Sequence, residues 1–238
     1  MSFFSIPFLF FFLPFVLVHY YLLGILLGSV LKVSNPIRFQ NGWLLLASIV
    51  LLIWLEPLLL PLFVVLVILC LFLTRKIKQV IWEGTRPQPY LLSCYIIIGS
   101  IFAFFQIGAA IVSNGVSLFG LEYTLFRTLL PPAGIAVLFL RAISYVTDVY
   151  MVKIEEEKKV TNLGLYLCFF PQIIIGPLQS YRDFKPQLKR SVNMELLSSG
   201  VCRFVTGLGK KILIAGNLAV VSDQVFGISQ MSGSLTQV

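Results

Sequence analysis

Charged residues are scarce in this 238-residue chain, at 12% of the sequence against 58% hydrophobic residues. An average soluble domain carries about 25% charged residues. The shortage excludes an ordinary soluble protein and predicts an all-α, polytopic membrane protein, because apolar segments cross a bilayer as helices. The net charge of +8 does not indicate a nucleic-acid partner, since Lys and Arg stand in short clusters between apolar runs, as juxtamembrane charges do.

Histidine and cysteine are also rare, which limits the chemistry that the chain can support. The four cysteines lie in apolar stretches without C-x-x-C spacing, and the chain has one histidine. This pattern predicts neither a metal site nor a disulfide framework. An ionisable group in a membrane span is a functional candidate by default. His19 stands beside Tyr20 and Tyr21, however, and we interpret it as a packing or interfacial residue.

Long apolar runs are what the sequence does contain, and they predict a single membrane domain over residues 1–238. A span needs about 20 apolar residues to cross about 30 Å of hydrocarbon. Lys and Arg are concentrated in every second loop, beginning with the loop after the first span, and cytoplasmic loops are the ones rich in these residues. This pattern predicts an inner (plasma) membrane protein with an extracytoplasmic N-terminus. The predicted spans lie near residues 7–31, 42–55, 58–74, 90–112 and 131–152. Residues 194–226 are predicted to form an interfacial amphipathic helix and a further membrane segment.

Residues 162–178 form an apolar segment with an unusual charge balance. Lys and Arg flank it on both sides, which places both flanks in the cytoplasm. Pro171 and the pair Gly176-Pro177 remove helical hydrogen bonds inside it. Such backbone survives at membrane depth only where it is buried in protein or lines a wet cavity. We therefore predict a re-entrant hairpin, with a proline-kinked spanning helix as the alternative.

Three neighbouring patches of sequence carry a family resemblance. They are Pro132-Ala133-Gly134-Ile135 with Asp148-Val149-Tyr150, then Phe169-Phe170-Pro171-Gln172 with Gly176-Pro177, and finally Gly207-Leu208-Gly209-Lys210-Lys211. In this order and spacing they resemble the N-terminal part of the membrane-bound O-acyltransferase (MBOAT) family. The resemblance is to its bacterial branch that acylates cell-envelope polysaccharides, as in alginate O-acetylation and teichoic-acid D-alanylation.

The resemblance implies a ring of membrane helices around a tunnel, part of which this chain would form. An acetyl or similar acyl group would pass from a cytoplasmic activated donor, acyl-CoA or an acyl carrier protein, to hydroxyls of the polysaccharide. The family's catalytic histidine lies in its C-terminal half, and no position of this chain matches it. We therefore assign no catalytic residue, metal or bound cofactor, and we leave open whether the chain is an enzyme.

The missing histidine leads us to expect a truncated chain that has no acyltransferase activity alone. Its expected partners are the lipid bilayer, a missing C-terminal half and other polysaccharide-modification proteins. The alternative is a non-catalytic membrane protein, either a pseudoenzyme partner of an acyltransferase or a small transporter, because transporters also use broken helices.

Candidate residues for the tunnel or the donor-side mouth lie in and after the interrupted segment. Gln172 has two open interpretations, since it can line the tunnel or bond backbone groups freed by Pro171. Arg182 and Lys185 can attract an anionic acyl donor, or can simply be positive-inside topology charges. The candidates are Pro171, Gln172, Gly176, Pro177, Arg182 and Lys185.

Overall fold

The structure is a computed structural model that describes residues 7–33, 35–55, 57, 59–119, 134–173, 178–189, 194–219 and 221–222. Within these ranges the regular structure is helical and no strand is present. The predicted all-α class is therefore confirmed. The chain divides into two compact units, Met1–Arg190 and Ser191–Val238.

The first helix, α1 (Leu13–Ile25), continues at both ends into wider π-type turns, Phe8–Phe12 and Leu26–Val30. The Leu13 amide bonds the Phe8 carbonyl, five residues back, just before Pro14. This wider turn accommodates a proline, which has no amide hydrogen to offer the preceding turn. The three pieces form one continuous apolar helix.

Three long helices follow, and they extend beyond the predicted spans. They are α2 (Pro36–Leu55), α3 (Leu59–Trp82) and α4 (Gln88–Phe119). The start of α2 lies six residues before the predicted position 42, because proline is well suited to a first helical position. The end of α4 lies beyond the predicted residue 112.

The end of α3 shows why its helix and its apolar span differ in length. The predicted span stops at residue 74, before a basic cluster, but Lys and Arg are good helix formers and the helix continues to Trp82. Gly84, two residues beyond this end, has a φ of 67°, and the Thr85 amide bonds the Val80 carbonyl at 3.1 Å. This left-handed glycine ending is a common helix terminator.

The rest of the first unit is built from shorter helices. They are α5 (Ile135–Tyr150), α6 (Val160–Cys168) and α7 (Tyr181–Phe184), which leads into a 3-10 turn, Lys185–Lys189. The second unit contains α8 (Met194–Lys210) and a π-type turn, Lys211–Ala215. Parts of the predicted segments lie outside the described residues, namely 58, 131–133, 174–177, 220 and 223–226.

The core of the first unit lies where α3 packs against α5 and where α2 packs against α6. Large apolar and aromatic side chains from these helices are fully buried, among them Leu66, Leu138, Tyr145 and Leu165. Gly164 lets α6 approach closely, because an added Cβ would lie 3.4 Å from both Leu45 and Phe63. These contacts fix α6 at the centre of the unit.

The outer surface of the helices is apolar, as expected for contact with lipid. Four helices of the described residues are long and apolar enough to cross a membrane: Phe8–Val30, Pro36–Trp54, Leu59–Trp82 and Gln88–Phe105. Large side chains such as Phe11 (72% exposed) and Phe10 (70% exposed) point away from the protein. Soluble monomers rarely expose such surfaces. The protein is therefore a multi-pass membrane protein.

Gly134, which precedes α5, is predicted to be intolerant of a side chain. Its φ of 91° is left-handed, and an added Cβ would lie 3.0 Å from the Ile173 carbonyl oxygen. We expect Gly134→Ala to lower the free energy of unfolding by about 1–3 kcal/mol. Circular dichroism during unfolding in detergent measures this loss. Gly99→Ala is the matched control, since nothing lies within 4 Å of its Cβ; equal stability of the two variants would contradict the prediction.

Candidate functional site

The chain reverses direction after α6, and we call residues 169–184 the returning segment. The hydroxyl of Tyr166 donates to the Gln179 carbonyl at 3.0 Å, and the Tyr166 and Tyr181 rings lie 5.1 Å apart. In a continuous helix these two residues would be about 22 Å apart. The Tyr181 hydroxyl also donates to Glu157 Oε2 at 2.6 Å, close to where α6 begins. The segment thus leaves near the point where it entered.

The backbone explains the reversal. Helix α6 ends at Cys168, and Phe169 adopts φ and ψ of −54° and 111°, which do not continue a helix. The residues from Phe170 to Gln172 then form a turn closed by the Gln172 amide on the Phe169 carbonyl at 2.9 Å. The described part of the interrupted segment is therefore a helix followed by a turn, and its geometry favours a hairpin over a kinked helix.

Arg141 of α5 is the central polar group behind this turn. It is 1% exposed, and its Nη1 donates to the Tyr166 carbonyl at 2.6 Å. That carbonyl is among the last four of α6, which have no partner within the helix. The guanidinium also lies 5.4 Å from the centre of the Tyr166 ring. Arg141 therefore caps the C-terminus of α6, where a positive charge is favoured.

Arg141 also orients two glutamine side chains of the returning segment. Its Nη2 donates to Gln172 Oε1. The other end of that amide, Gln172 Nε2, donates to Gln179 Oε1 at 3.1 Å. The three side chains form a chain of hydrogen bonds that joins the buried end of α6 to the half-exposed Gln179. We call this chain the amide relay.

Helix α2 holds the returning segment and the turn after it from the other side. Ser48 Oγ accepts a hydrogen bond from the Phe170 amide at 3.2 Å. The side-chain nitrogen of Asn41 donates to the Leu188 carbonyl at 3.0 Å. Both α2 side chains are buried. Polar side chains of α2 and α5 thus satisfy irregular backbone that lipid could not hydrogen-bond.

A carboxylate, Glu157, joins the loop before α6 to the returning segment. Burial alone would raise the pKa of Glu157. Hydrogen bonds from the Tyr181 hydroxyl and the Lys159 amide, together with the nearby Lys185 ammonium, outweigh this effect of burial. The pKa of Glu157 is therefore below its ordinary value. Burial, and then Glu157 itself, raise the pKa of Tyr181. The Glu157 amide donates to the Tyr145 hydroxyl at 2.9 Å. Glu157 therefore anchors this loop through both its backbone amide and its side-chain carboxylate.

The structure brings together part of the predicted candidate set. Gln172 is half-buried, and its side chain bonds the side chains of Arg141 and Gln179 rather than backbone freed by Pro171. Pro171 and Arg182 are exposed and Lys185 is half-buried. Gly176 and Pro177 lie outside the described residues.

Sequence reasoning missed several polar residues of the site. Arg141, Glu157, Gln179 and Tyr181 were not among the candidates, although they make its main hydrogen bonds. One signal was present for Arg141, because an arginine inside an apolar helix is itself a functional indicator.

His19 lies apart from the returning segment's hydrogen bonds in a stack of aromatic rings. Its ring centre is 4.0 Å from that of Phe15 and 5.3 Å from that of Trp43, and its Nδ1 donates to the Phe15 carbonyl at 2.9 Å. These are packing contacts within α1 and against α2. Across the described part of the chain, no group of three His, Cys, Asp or Glu residues is placed to hold a metal ion.

The fold and these contacts define an all-α, polytopic membrane protein whose broken segment is held inside the helical unit. Two curated proteins of similar sequence are probable alginate O-acetylases. That of Pseudomonas syringae pv. tomato is 30% identical over 235 residues, which cover 96% of this chain and 42% of the relative. That of Pseudomonas fluorescens is 31% identical over 229 residues, covering 96% and 41%.

A third relative acts on a different polymer. A peptidoglycan O-acetyltransferase of Helicobacter pylori is 27% identical over 249 residues, covering 91% of this chain and 45% of the relative. No protein-family model and no solved structure matches the chain. The chain thus spans less than half the length of these relatives. The resemblance to the polysaccharide-acylating MBOAT branch is confirmed, and the chain is related to bacterial polysaccharide O-acetylases.

The bond between Tyr181 and Glu157 is predicted to make stability depend on pH. The pKa of Glu157 is lower in the folded state than in the unfolded state. Ionised Glu157 therefore stabilises the fold above the unfolded pKa, about 4.3, and this stabilisation is lost as the pH falls through the folded pKa. We expect Tyr181→Phe to cost about 1–2 kcal/mol at pH 6 and less at pH 3. Unfolding in detergent at both pH values measures this difference.

The exposed Tyr90 provides the matched control, since Tyr90→Phe removes the same hydroxyl at the start of α4. This variant should be as stable as the wild type at both pH values. A Tyr181→Phe deficit that is equally large at pH 3 and pH 6 would show that Glu157 ionisation is not involved.

Proposed function

We propose that this chain forms the membrane scaffold and the donor-side mouth of a polysaccharide O-acyltransferase. The enzyme would transfer an acetyl or similar acyl group from a cytoplasmic activated donor to hydroxyls of a cell-envelope polysaccharide. The observation that carries the proposal is the similarity to O-acetylating proteins over 91–96% of the chain. These relatives are named for two acceptors, alginate and peptidoglycan, so the common chemistry is acetylation of a polysaccharide hydroxyl.

The charges around the returning segment support a cytoplasmic mouth for an anionic donor. The bond between Tyr181 and Glu157 brings the loop of residues 153–159 beside α7. The loop, α7 and the 3-10 turn after α7 expose cationic side chains, including Lys158, Lys159, Arg182 and Lys189. Cations near the membrane surface concentrate on the cytoplasmic side and attract phosphate groups. Acyl-CoA and acyl carrier protein, the proposed donors, both carry phosphate.

The same charges support an inner-membrane orientation with the N-terminus outside. A hairpin would return its two ends to one side, so neither flanking cluster would need to cross the bilayer. The role proposed for the broken segment agrees with its packing, because irregular backbone is tolerated at membrane depth where it is buried in protein or lines a water-filled cavity. In this proposal the catalytic base is supplied from outside the described residues, by a further part of the enzyme.

Cysteine accessibility tests the proposed orientation. We expect Thr161→Cys and Arg182→Cys, both at exposed positions, to react with a membrane-impermeant maleimide only from the cytoplasmic side. The background is Cys202→Ser, because the other three cysteines are buried. Pro57→Cys, in the exposed loop after α2, is the control and should react from outside. Reaction of positions 161 and 182 from opposite sides would contradict the hairpin.

A chimera tests the proposed activity. The chain replaces the matching region of the Pseudomonas syringae pv. tomato relative, in a strain that lacks this relative and makes unacetylated alginate. We expect the chimera to restore O-acetylation, measured by nuclear magnetic resonance of the secreted polymer, because the chain would supply an equivalent scaffold and mouth. A chimera that accumulates in the membrane at the level of the intact relative but adds no acetyl groups would contradict the proposal.

A further inference from the structure

The amide relay has a fixed direction, because arginine has hydrogen-bond donors and no acceptor. Arg141 must therefore face the oxygen of the Gln172 amide, and the Gln172 nitrogen must face away from it. This nitrogen donates to Gln179 Oε1 at 3.1 Å, so the oxygen of Gln179 points inward. The buried guanidinium thus determines the orientation of an amide that it does not touch.

The outward end of the relay is a hydrogen-bond donor for which the described residues provide no acceptor. With its oxygen turned inward, Gln179 presents Nε2 and two N–H groups on the other side. Among the residues that the structure describes, no acceptor lies within hydrogen-bond distance of this nitrogen. Gln179 is half-exposed, so a ligand can reach its side chain.

The buried charge also strengthens this donor. Hydrogen bonds in a chain polarise one another, and they do so more strongly in surroundings of low dielectric constant. Arg141 is 1% exposed, and its positive charge draws electron density along Gln172 and away from Gln179. The N–H groups of Gln179 are therefore better donors than those of an isolated surface glutamine, and they favour an oxygen with partial or full negative charge.

We propose that Gln179 is a ligand-binding residue that donates a hydrogen bond to an acceptor oxygen of the acyl donor, and that Arg141 and Gln172 are its positioning residues. This inference rests on the proposed function, since it assigns the ligand from the donor-side position of the returning segment. The acceptor oxygen belongs either to the carbonyl of the acyl group or to a phosphate or amide group of the part of the donor that carries the acyl group. Both offer the same hydrogen-bond chemistry.

Two substitutions test the inference by calorimetric titration of the purified chain with acetyl-CoA and with CoA. Gln179→Met keeps the length of the side chain but removes the donor, and we expect acetyl-CoA to bind about threefold to tenfold more weakly. If only the binding of acetyl-CoA is weakened, the acceptor is the acyl carbonyl. If the binding of CoA is weakened equally, the acceptor lies on the CoA part of the donor. Gln88→Met, at an exposed position of α4, is the matched control and should bind both ligands normally.

Gln172→Glu separates ligand binding from structural support. A carboxylate at position 172 still accepts from Arg141 but cannot donate, so Gln179 must turn its nitrogen inward and present its oxygen to the ligand. We expect binding to weaken as in Gln179→Met while the unfolding temperature stays equal to or above that of the wild type, because Arg141 gains an ionic partner.

Three results would overturn the inference: no acetyl-CoA binding by the wild type, normal binding by Gln179→Met, or normal binding by Gln172→Glu. They are separate from failure of the proposed function, which is a chimera that adds no acetyl groups. An active chimera whose acetylation rate is unchanged by Gln179→Met would likewise retain the function and remove Gln179 from it.

Discussion

The guanidinium of Arg141 lies in the interior of the helical unit. It donates hydrogen bonds to the carbonyl of Tyr166, in the last turn of α6, and to the side chain of Gln172. An isolated buried charge is very costly, so its donors require acceptors. Both Nη atoms of Arg141 donate to neutral oxygens, one of a backbone carbonyl and one of a side-chain amide. The end of α6 and the reversal of the chain supply these two acceptors.

The same interaction relates the fold to the proposed function. A helix that ends inside a membrane protein leaves carbonyls without partners, and Arg141 together with the α2 residues Ser48 and Asn41 satisfies the polar backbone around this break. The break places the polar side chains of Arg141 and Gln172 inside the helical unit, away from its apolar outer surface. In the proposed function this segment would line the path of the acyl donor and of its acceptor, which the relatives' names identify as a polysaccharide in their own case.

Much of the fold follows from simple sequence rules, whereas the site follows from them only in part. The scarcity of charge predicts the all-α membrane class, and Pro171 marks the broken segment. The end of α3 at Trp82 was not predictable from hydropathy, because charges end an apolar span but not a helix. The partners of Arg141 are a backbone carbonyl and an amide 25 and 31 residues away, which no local pattern specifies. The position of Gln179 depends in turn on this packing.

The central claim is that Arg141 holds the returning segment in place, and hydrogen–deuterium exchange of the protein in lipid nanodiscs tests it most directly. In Arg141→Met the amides of residues 163–173 and 178–184 should exchange faster than in the wild type, while those of α3 stay protected. Arg75→Met removes the same charge from an exposed position of α3 and should leave the returning segment unchanged. Wild-type exchange of the returning segment in Arg141→Met would contradict the account.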